Sequence, residues 1–244
     1  MDSGHLREAQ SFGTAAERYD LYRPTYAEDA IIWALGRESL RVGDLGAGTG
    51  ILSRQLQKLG HDVVAVEPDD LMRARLVQVS PGVTAVAGRA EAIPLPDASV
   101  DAAVAGQAYH WFDRPPAHRE IARVVRPGGV FAAMRNDADP ATPWTVQFAE
   151  IIDGPVRQDE EREVADFGDS FEPVEFKEFR HEMWVTPDAL VAMATTRSPY
   201  LVADEQGRRD LVAAIHALLH DVELTGQERF PMPHLTRVNR AIRR

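Results

Sequence analysis

The chain has 244 residues and a formal net charge of -11, a length that suits one α/β domain with a small addition. Its acidity argues against a nucleic-acid partner, which normally needs a basic face. A hydrophobic content of 44% excludes wholesale disorder, and the absence of cysteine excludes disulfides, thiolate metal sites and cysteine nucleophiles. No apolar run reaches membrane-spanning length, and Met1-Asp2-Ser3-Gly4-His5 does not read as a signal peptide, so a cytoplasmic protein with no membrane partner is expected.

Phe12, Ala16 and Tyr19 share one face of an expected first helix. Thr25-Tyr26-Ala27-Glu28 reads as a capping box that starts a second helix ending near Leu35. From Arg41 to Arg135, short apolar runs alternate with helical periods, the pattern of βαβ units around a parallel sheet. Expected strands are Val42–Leu45, Asp62–Val66, Val83–Ala87, Val100–Ala105 and Val130–Met134, apolar on both parities as strands covered on both faces should be. Leu52, Leu56 and Leu59 mark one intervening helix, Met72, Leu76 and Val79 a second, and Ala117, Ile121 and Val124 a third. Pro68 and Pro115-Pro116 are read as helix openings, and Gly60, Pro81-Gly82 and Pro127-Gly128-Gly129 as ends. Later helices are expected at Trp144–Ile152, Pro187–Ala194 and Leu211–Val222, and two further strands at Val174–Val185 and His234–Ile242. Asp159, Glu160, Glu161 and Glu163 crowd together as a solvated face.

The densest signal is Val42-Gly43-Asp44-Leu45-Gly46-Ala47-Gly48-Thr49-Gly50, with Glu67 after the second strand. A strand, a bare glycine turn and a helix N-terminus admit close approach of a nucleotide-like ligand. A dinucleotide fingerprint would place its third glycine at residue 51, which is Ile51; here that glycine comes one residue early, at Gly50. A carboxylate at Glu67 suits two ribose hydroxyls, although an acid near a helix N-terminus is also favoured by the dipole alone.

These residues resemble motif I of the class I S-adenosylmethionine-dependent methyltransferases. Four further segments fall where that family expects them: Val66-Glu67-Pro68, Gly88-Arg89-Ala90-Glu91-Ala92-Ile93-Pro94, Gly106-Gln107-Ala108-Tyr109-His110-Trp111-Phe112 and Pro127-Gly128-Gly129. Within the family the chain is most similar to the small-molecule branch that includes trans-aconitate and ubiquinone-type C-methyltransferases. The resemblance implies a Rossmann-like, doubly wound α/β fold. Its seven-stranded, mostly parallel sheet would have an antiparallel edge, helices on both faces and a small helical cap. A single domain over 1–244 is expected, with an N-terminal cap at 1–40, a cofactor core at 41–135 and a helical insertion with the final strands at 136–244.

The implied cofactor is S-adenosylmethionine, leaving as S-adenosylhomocysteine. Gly46, Ala47, Gly48 and Gly50 would hold it by their backbone, Glu67 by its ribose and Asp44 at its methionyl end. Pro68, Met72, Ala90 and Glu91 would surround the adenine, and Gln107 would lie at the methyl-facing loop. Met72 equally fits a core stripe with Leu76. Tyr19 and Arg23 would close over the cofactor with Arg23 at its carboxylate, a pairing that guanidinium geometry suits; a helix-end residue in solvent is the alternative for Arg23. Tyr109, His110 and Trp111 would face the substrate.

Methyl transfer is an in-line displacement in which orientation alone accounts for about 7–11 kcal/mol. A general base is needed only for a protonated nucleophile, and His110 is the candidate, with packing as its alternative. The remaining histidines lack ligand spacing, so no metal is expected. The expected partner is a small-molecule acceptor, carboxylate or hydroxyl. Two rival readings are a nicotinamide-dependent oxidoreductase, opposed by Ile51, and a non-catalytic cofactor-binding regulator.

Overall fold

The structure is a computed structural model that describes residues 16–154, 164–222, 224 and 226–244. Phe12 of the first expected helix and the acidic run Asp159–Glu163 lie outside the described residues. The described residues pack as two compact units, the larger made from those of 25–136, 161–179 and 236–244, the smaller from those of 1–24, 137–160 and 180–235.

The elements in chain order are α1 (Ala16–Tyr22), α2 (Glu28–Leu35), β1 (Arg41–Leu45), α3 (Ile51–Lys58), β2 (Asp62–Val66), α4 (Asp70–Val79), β3 (Thr84–Val86) and β4 (Val100–Gly106). A 3-10 turn (Tyr109–Trp111) follows. Then come α5 (Arg114–Val124), β5 (Val125–Ala138), α6 (Pro143–Asp153), β6 (Glu175–Val185), α7 (Pro187–Ala194), α8 (Ser198–Val202), α9 (Glu205–Asp221) and β7 (Phe230–Ile242).

One seven-stranded sheet runs in the order β3-β2-β1-β4-β5-β7-β6. The first five strands are parallel, with Asp44 beside Ala65 on one side and Val104 on the other. β7 runs against them: Thr236 bonds Asn136 while Arg243 exchanges bonds with Gly128 and Gly129. β6 in turn opposes β7, with Arg237 on Glu178 and Arg240 on Glu175. The expected mixed sheet with an antiparallel edge is therefore present. The order reverses between β1 and β4, which leaves a crevice at their carboxyl ends where ligands of such sheets bind.

Alternation explains why both sheet faces are covered. Ala103, Ala105, Phe131 and Ala133 point into one core with Ala117 and Ile121 of α5. Ala102, Val104, Ala132 and Met134 point into the other, with Leu52, Leu56, Leu76 and the fully buried Ile31 of α2. Helix α2 thus packs in the larger unit, whereas residues 1–40 were expected to form one cap. The smaller unit has its own core, in which Phe148 of α6, Leu190 of α7, Ile215 of α9 and Phe230 meet.

Several local expectations are corrected. The Thr25–Glu28 capping box does not form: Ala27 occupies the N-cap without a side-chain bond, and its N–H donates to Thr236 Oγ1 at 3.0 Å. Helix α4 opens on Asp69, whose carboxylate accepts from the N–H groups of Leu71 and Met72, with Pro68 lying ahead of the cap. Pro127-Gly128-Gly129 falls inside β5 as an irregularity, Val125 pairing with Val100 and Val130 with Ala102, so the strand is far longer than Val130–Met134. Helix α9 starts six residues before Leu211, at Glu205, because Asp204 caps a polar first turn that carries no apolar period. No helix among the described residues is long and apolar enough to cross a membrane.

Candidate active site

The glycine-rich turn connects β1 to α3 at the carboxyl end of the sheet. Its backbone is tied to β2, with the N–H of Gly46 and of Ala47 donating to Val66 O at 2.8 and 3.3 Å. Gly46, Gly48 and Gly50 have φ of +68°, +57° and +84°, a region that side-chain-bearing residues rarely adopt. The three differ in what surrounds them. A Cβ on Gly46 would fall 2.6 Å from Cβ of Ala108, and one on Gly50 would fall 2.8 Å from Leu76 and 2.9 Å from Ser80. A Cβ on Gly48 would meet nothing within 4 Å. Gly46 and Gly50 are glycine for the protein's own packing, while Gly48 borders open space.

Glu67 stands at the end of β2 and is only 6% exposed. Its Oε2 accepts from Gly48 N–H at 2.7 Å and its Oε1 from Asp69 N–H at 2.8 Å. Each oxygen retains a lone pair for a further donor. Burial pushes its carboxyl up, against the lowering effect of these two backbone bonds.

Asp44 is 1% exposed, with Oδ2 accepting from Ser53 Oγ at 2.6 Å. Its Oδ1 is buried with no partner among the described residues, as is Thr49 Oγ1. Burial pushes the Asp44 carboxyl up to about 7, the Ser53 bond opposing and the charge of Glu67 adding to the rise. A buried acceptor without a donor costs about 1–3 kcal/mol, so this atom calls for a donor or a cation. Ser53 was missed in the sequence; the signal was a polar residue between Leu52 and Leu56 on a buried helix face.

The other expected residues are placed as follows. Met72 is 4% exposed yet lies outside the apolar core that takes in Leu76 one turn later. Ala90 is buried, and both Glu91 oxygens are engaged, Oε1 by Asp113 N–H at 2.8 Å and Oε2 by Arg89 Nε at 3.4 Å. Gln107 follows β4 with φ +56°, its N–H donating to Met134 O and its Nε2 to Asn136 O, both at 2.8 Å. His110 is exposed, its ring centroid 4.7 Å from that of the half-buried Trp111. In the smaller unit, the Arg23 guanidinium lies 4.5 Å from the Tyr19 ring centroid and donates to Oγ1 and O of Thr196.

Tyr109 departs from the expected pocket wall. It is buried in the first core with Phe112, Phe131 and Phe167, and its hydroxyl lies 2.8 Å from His118 Nε2. The 3-10 turn causes this, since it sends residue 109 inward while residue 110 faces solvent. His118 had no sequence signal: it lies one residue after Ala117 on α5 and pairs with a tyrosine on a separate element.

Comparison with known proteins agrees with this geometry. Residues 43–133 match the methyltransferase domain family. An uncharacterized methyltransferase of Mycobacterium tuberculosis is 38% identical over 211 residues, covering 86% of this chain and 85% of that protein. A malonyl-[acyl-carrier protein] O-methyltransferase of Pectobacterium atrosepticum is 34% identical over 51% of each chain. Among solved structures, a putative type II methyltransferase from Anaeromyxobacter dehalogenans superposes with a TM-score of 0.62 at 26% identity, covering 91% of this chain and 98% of that one.

Proposed function

The chain belongs to the class I S-adenosylmethionine-dependent methyltransferases, and we propose that it methylates an oxygen of a small-molecule acceptor from a cofactor held at the glycine-rich turn. The observation that carries this reading is the combination of an unpartnered buried Asp44 Oδ1, open space over Gly48 and a Glu67 carboxylate fixed beside it. An ammonium and a sulfonium on one ligand suit the electrostatic need of Asp44, and ribose hydroxyls suit the free lone pairs of Glu67.

In this reading the backbone of Gly46, Ala47, Gly48 and Gly50 cradles the ligand, Asp44 meets its methionyl end, and Pro68, Met72, Ala90 and Glu91 border the adenine. Gln107, pinned by two bonds to β5, holds the turn between the cofactor and the acceptor. Arg23, with Tyr19 against its guanidinium in the smaller unit, is assigned to the cofactor carboxylate by the family resemblance alone. Bound S-adenosylmethionine would supply an electrophilic methyl group. The protein then has to orient the acceptor oxygen and exclude water, which Trp111 serves as a wall. A carboxylate acceptor needs no base; for a hydroxyl acceptor, His110 takes the proton on its imidazole. An oxygen acceptor is favoured by the similarity to an O-methyltransferase that acts on a malonyl group.

Calorimetric titration with S-adenosylhomocysteine, with NADH in parallel, tests the cofactor. Micromolar binding of the former alone is expected. Glu67→Ala should weaken it by about 1–3 kcal/mol, because ribose hydroxyls and two loop N–H groups lose their acceptor. Binding of NADH alone would overturn the assignment.

A further inference from the structure

The turn after β4 is held by a contact that the cofactor reading leaves unused. Tyr109 hydroxyl and His118 Nε2 are 2.8 Å apart, and their rings stack with centroids 5.9 Å apart at 7°. Tyr109 belongs to the 3-10 turn that carries His110 and Trp111, while His118 belongs to α5. On the other side of the same turn, Ala108 and Phe112 press on Gly46, where a Cβ would fall 2.6 Å from Ala108 Cβ and 3.8 Å from the Phe112 ring. The turn is thus wedged between α5 and the glycine-rich loop. Within the turn, Trp111 N–H donates to Ala108 O and Phe112 N–H to Tyr109 O, while Gln107 on β5 and Asp113 on Glu91 anchor its two ends.

We propose that the Tyr109–His118 hydrogen bond is a latch that holds the turn against Gly46, making Tyr109 and His118 positioning residues for the cofactor loop and for His110. This rests on the cofactor reading above. Burial keeps His118 below the ordinary histidine range, with the Asp166 carboxylate opposing and the Arg114 guanidinium reinforcing that effect. Burial thus favours the neutral imidazole, whose Nε2 accepts from the phenol O–H in one tautomer and donates to the phenol oxygen in the other. Arg114 also lies over the Tyr109 ring, 5.2 Å from the centroid. Protonation of His118 leaves Nε2–H as a donor to the phenol oxygen, so the contact can persist with its direction reversed.

The test compares wild type with Tyr109→Phe, His118→Ala and His118→Gln, the last of which keeps an acceptor that does not titrate. At pH 8, Tyr109→Phe and His118→Ala should each weaken S-adenosylhomocysteine binding by about fivefold, the scale of one net hydrogen bond. The double variant should be no worse than either single one, and His118→Gln should bind like wild type. Wild-type affinity in Tyr109→Phe at every pH would overturn the latch. Amide exchange of residues 107–113 in the ligand-free protein gives a readout independent of the cofactor. Acceleration in Tyr109→Phe but not in His118→Gln supports the latch, and unchanged exchange overturns it whatever ligand the loop takes. Failure of the wild-type protein to bind S-adenosylhomocysteine, together with that acceleration in Tyr109→Phe, would sink the cofactor reading and leave the latch standing.

Discussion

Asp44 shows how a single side chain can oppose folding in order to bind. An acid whose folded-state pKa lies above its unfolded value stabilises the fold only while protonated. For Asp44 that contribution is complete below about pH 4 and is lost as the pH rises through about 7. The ligand-free protein should therefore lose stability between about pH 4 and pH 7, and Asp44→Asn should flatten that slope. Asparagine still accepts from Ser53, so the variant should be more stable than wild type at pH 8, by about 2–4 kcal/mol from the size of the shift, while losing cofactor affinity. Thermal unfolding across this pH range, with and without S-adenosylhomocysteine, measures both. A variant less stable than wild type at pH 8 would mean that the buried carboxylate has a partner. The carboxylate before the glycines was legible in the sequence because motif spacing exposes it. Its elevated pKa was not, because burial and the unmatched Oδ1 arise only when β1 is flanked by β2 and β4.

At the scale of an element, the glycine-rich turn separates two meanings of one residue type. Gly46 and Gly48 read alike in the sequence and share a left-handed backbone, yet only Gly46 is crowded. Alanine at Gly46 should cost well over 2 kcal/mol, through backbone strain added to a clash with Ala108. Alanine at Gly48 should cost about 1 kcal/mol in stability but abolish measurable cofactor binding, since its methyl would enter the open space. Denaturant unfolding and calorimetry on the two variants separate these effects, and equal stability losses would contradict the packing described. The capping box at Thr25–Glu28 teaches the same lesson in reverse. Its residues satisfy the local rule, but Thr25 O is bonded to Asn136 Nδ2 and Ala27 N–H to Thr236 Oγ1. Strand partners distant in sequence hold the backbone at Thr25 and Ala27, so the helix begins at Glu28 with Ala27 as its cap.

For the whole molecule, the residues placed around the turn all belong to the larger unit, while Tyr19 and Arg23 belong to the smaller one. Hydrogen exchange with saturating S-adenosylhomocysteine should slow the amides of 46–50, 67–72 and 107–111. If Arg23 receives the cofactor carboxylate, 19–23 should slow as well. Protection of the first set without the second would withdraw Tyr19 and Arg23 from the cofactor. Saturation at 100 times Kd should also raise the unfolding free energy by about 2.7 kcal/mol.

The order of elements, the parallel half of the sheet and the position of the glycine-rich turn followed from the sequence alone. All three depend on short-range patterns: apolar runs of strand length, helical periods between them, and closely spaced glycines that favour a turn at positive φ. Tertiary structure decided which residues at that turn are available to a ligand. It placed Tyr109 in the core and His110 at the surface, gave Asp44 a partner on one oxygen only, joined Tyr109 to His118, and let β5 absorb Pro127-Gly128-Gly129. The physical reason is common to all of these. Burial and hydrogen-bond satisfaction are properties of neighbours brought together by the sheet and its helices, and no local pattern records who those neighbours are.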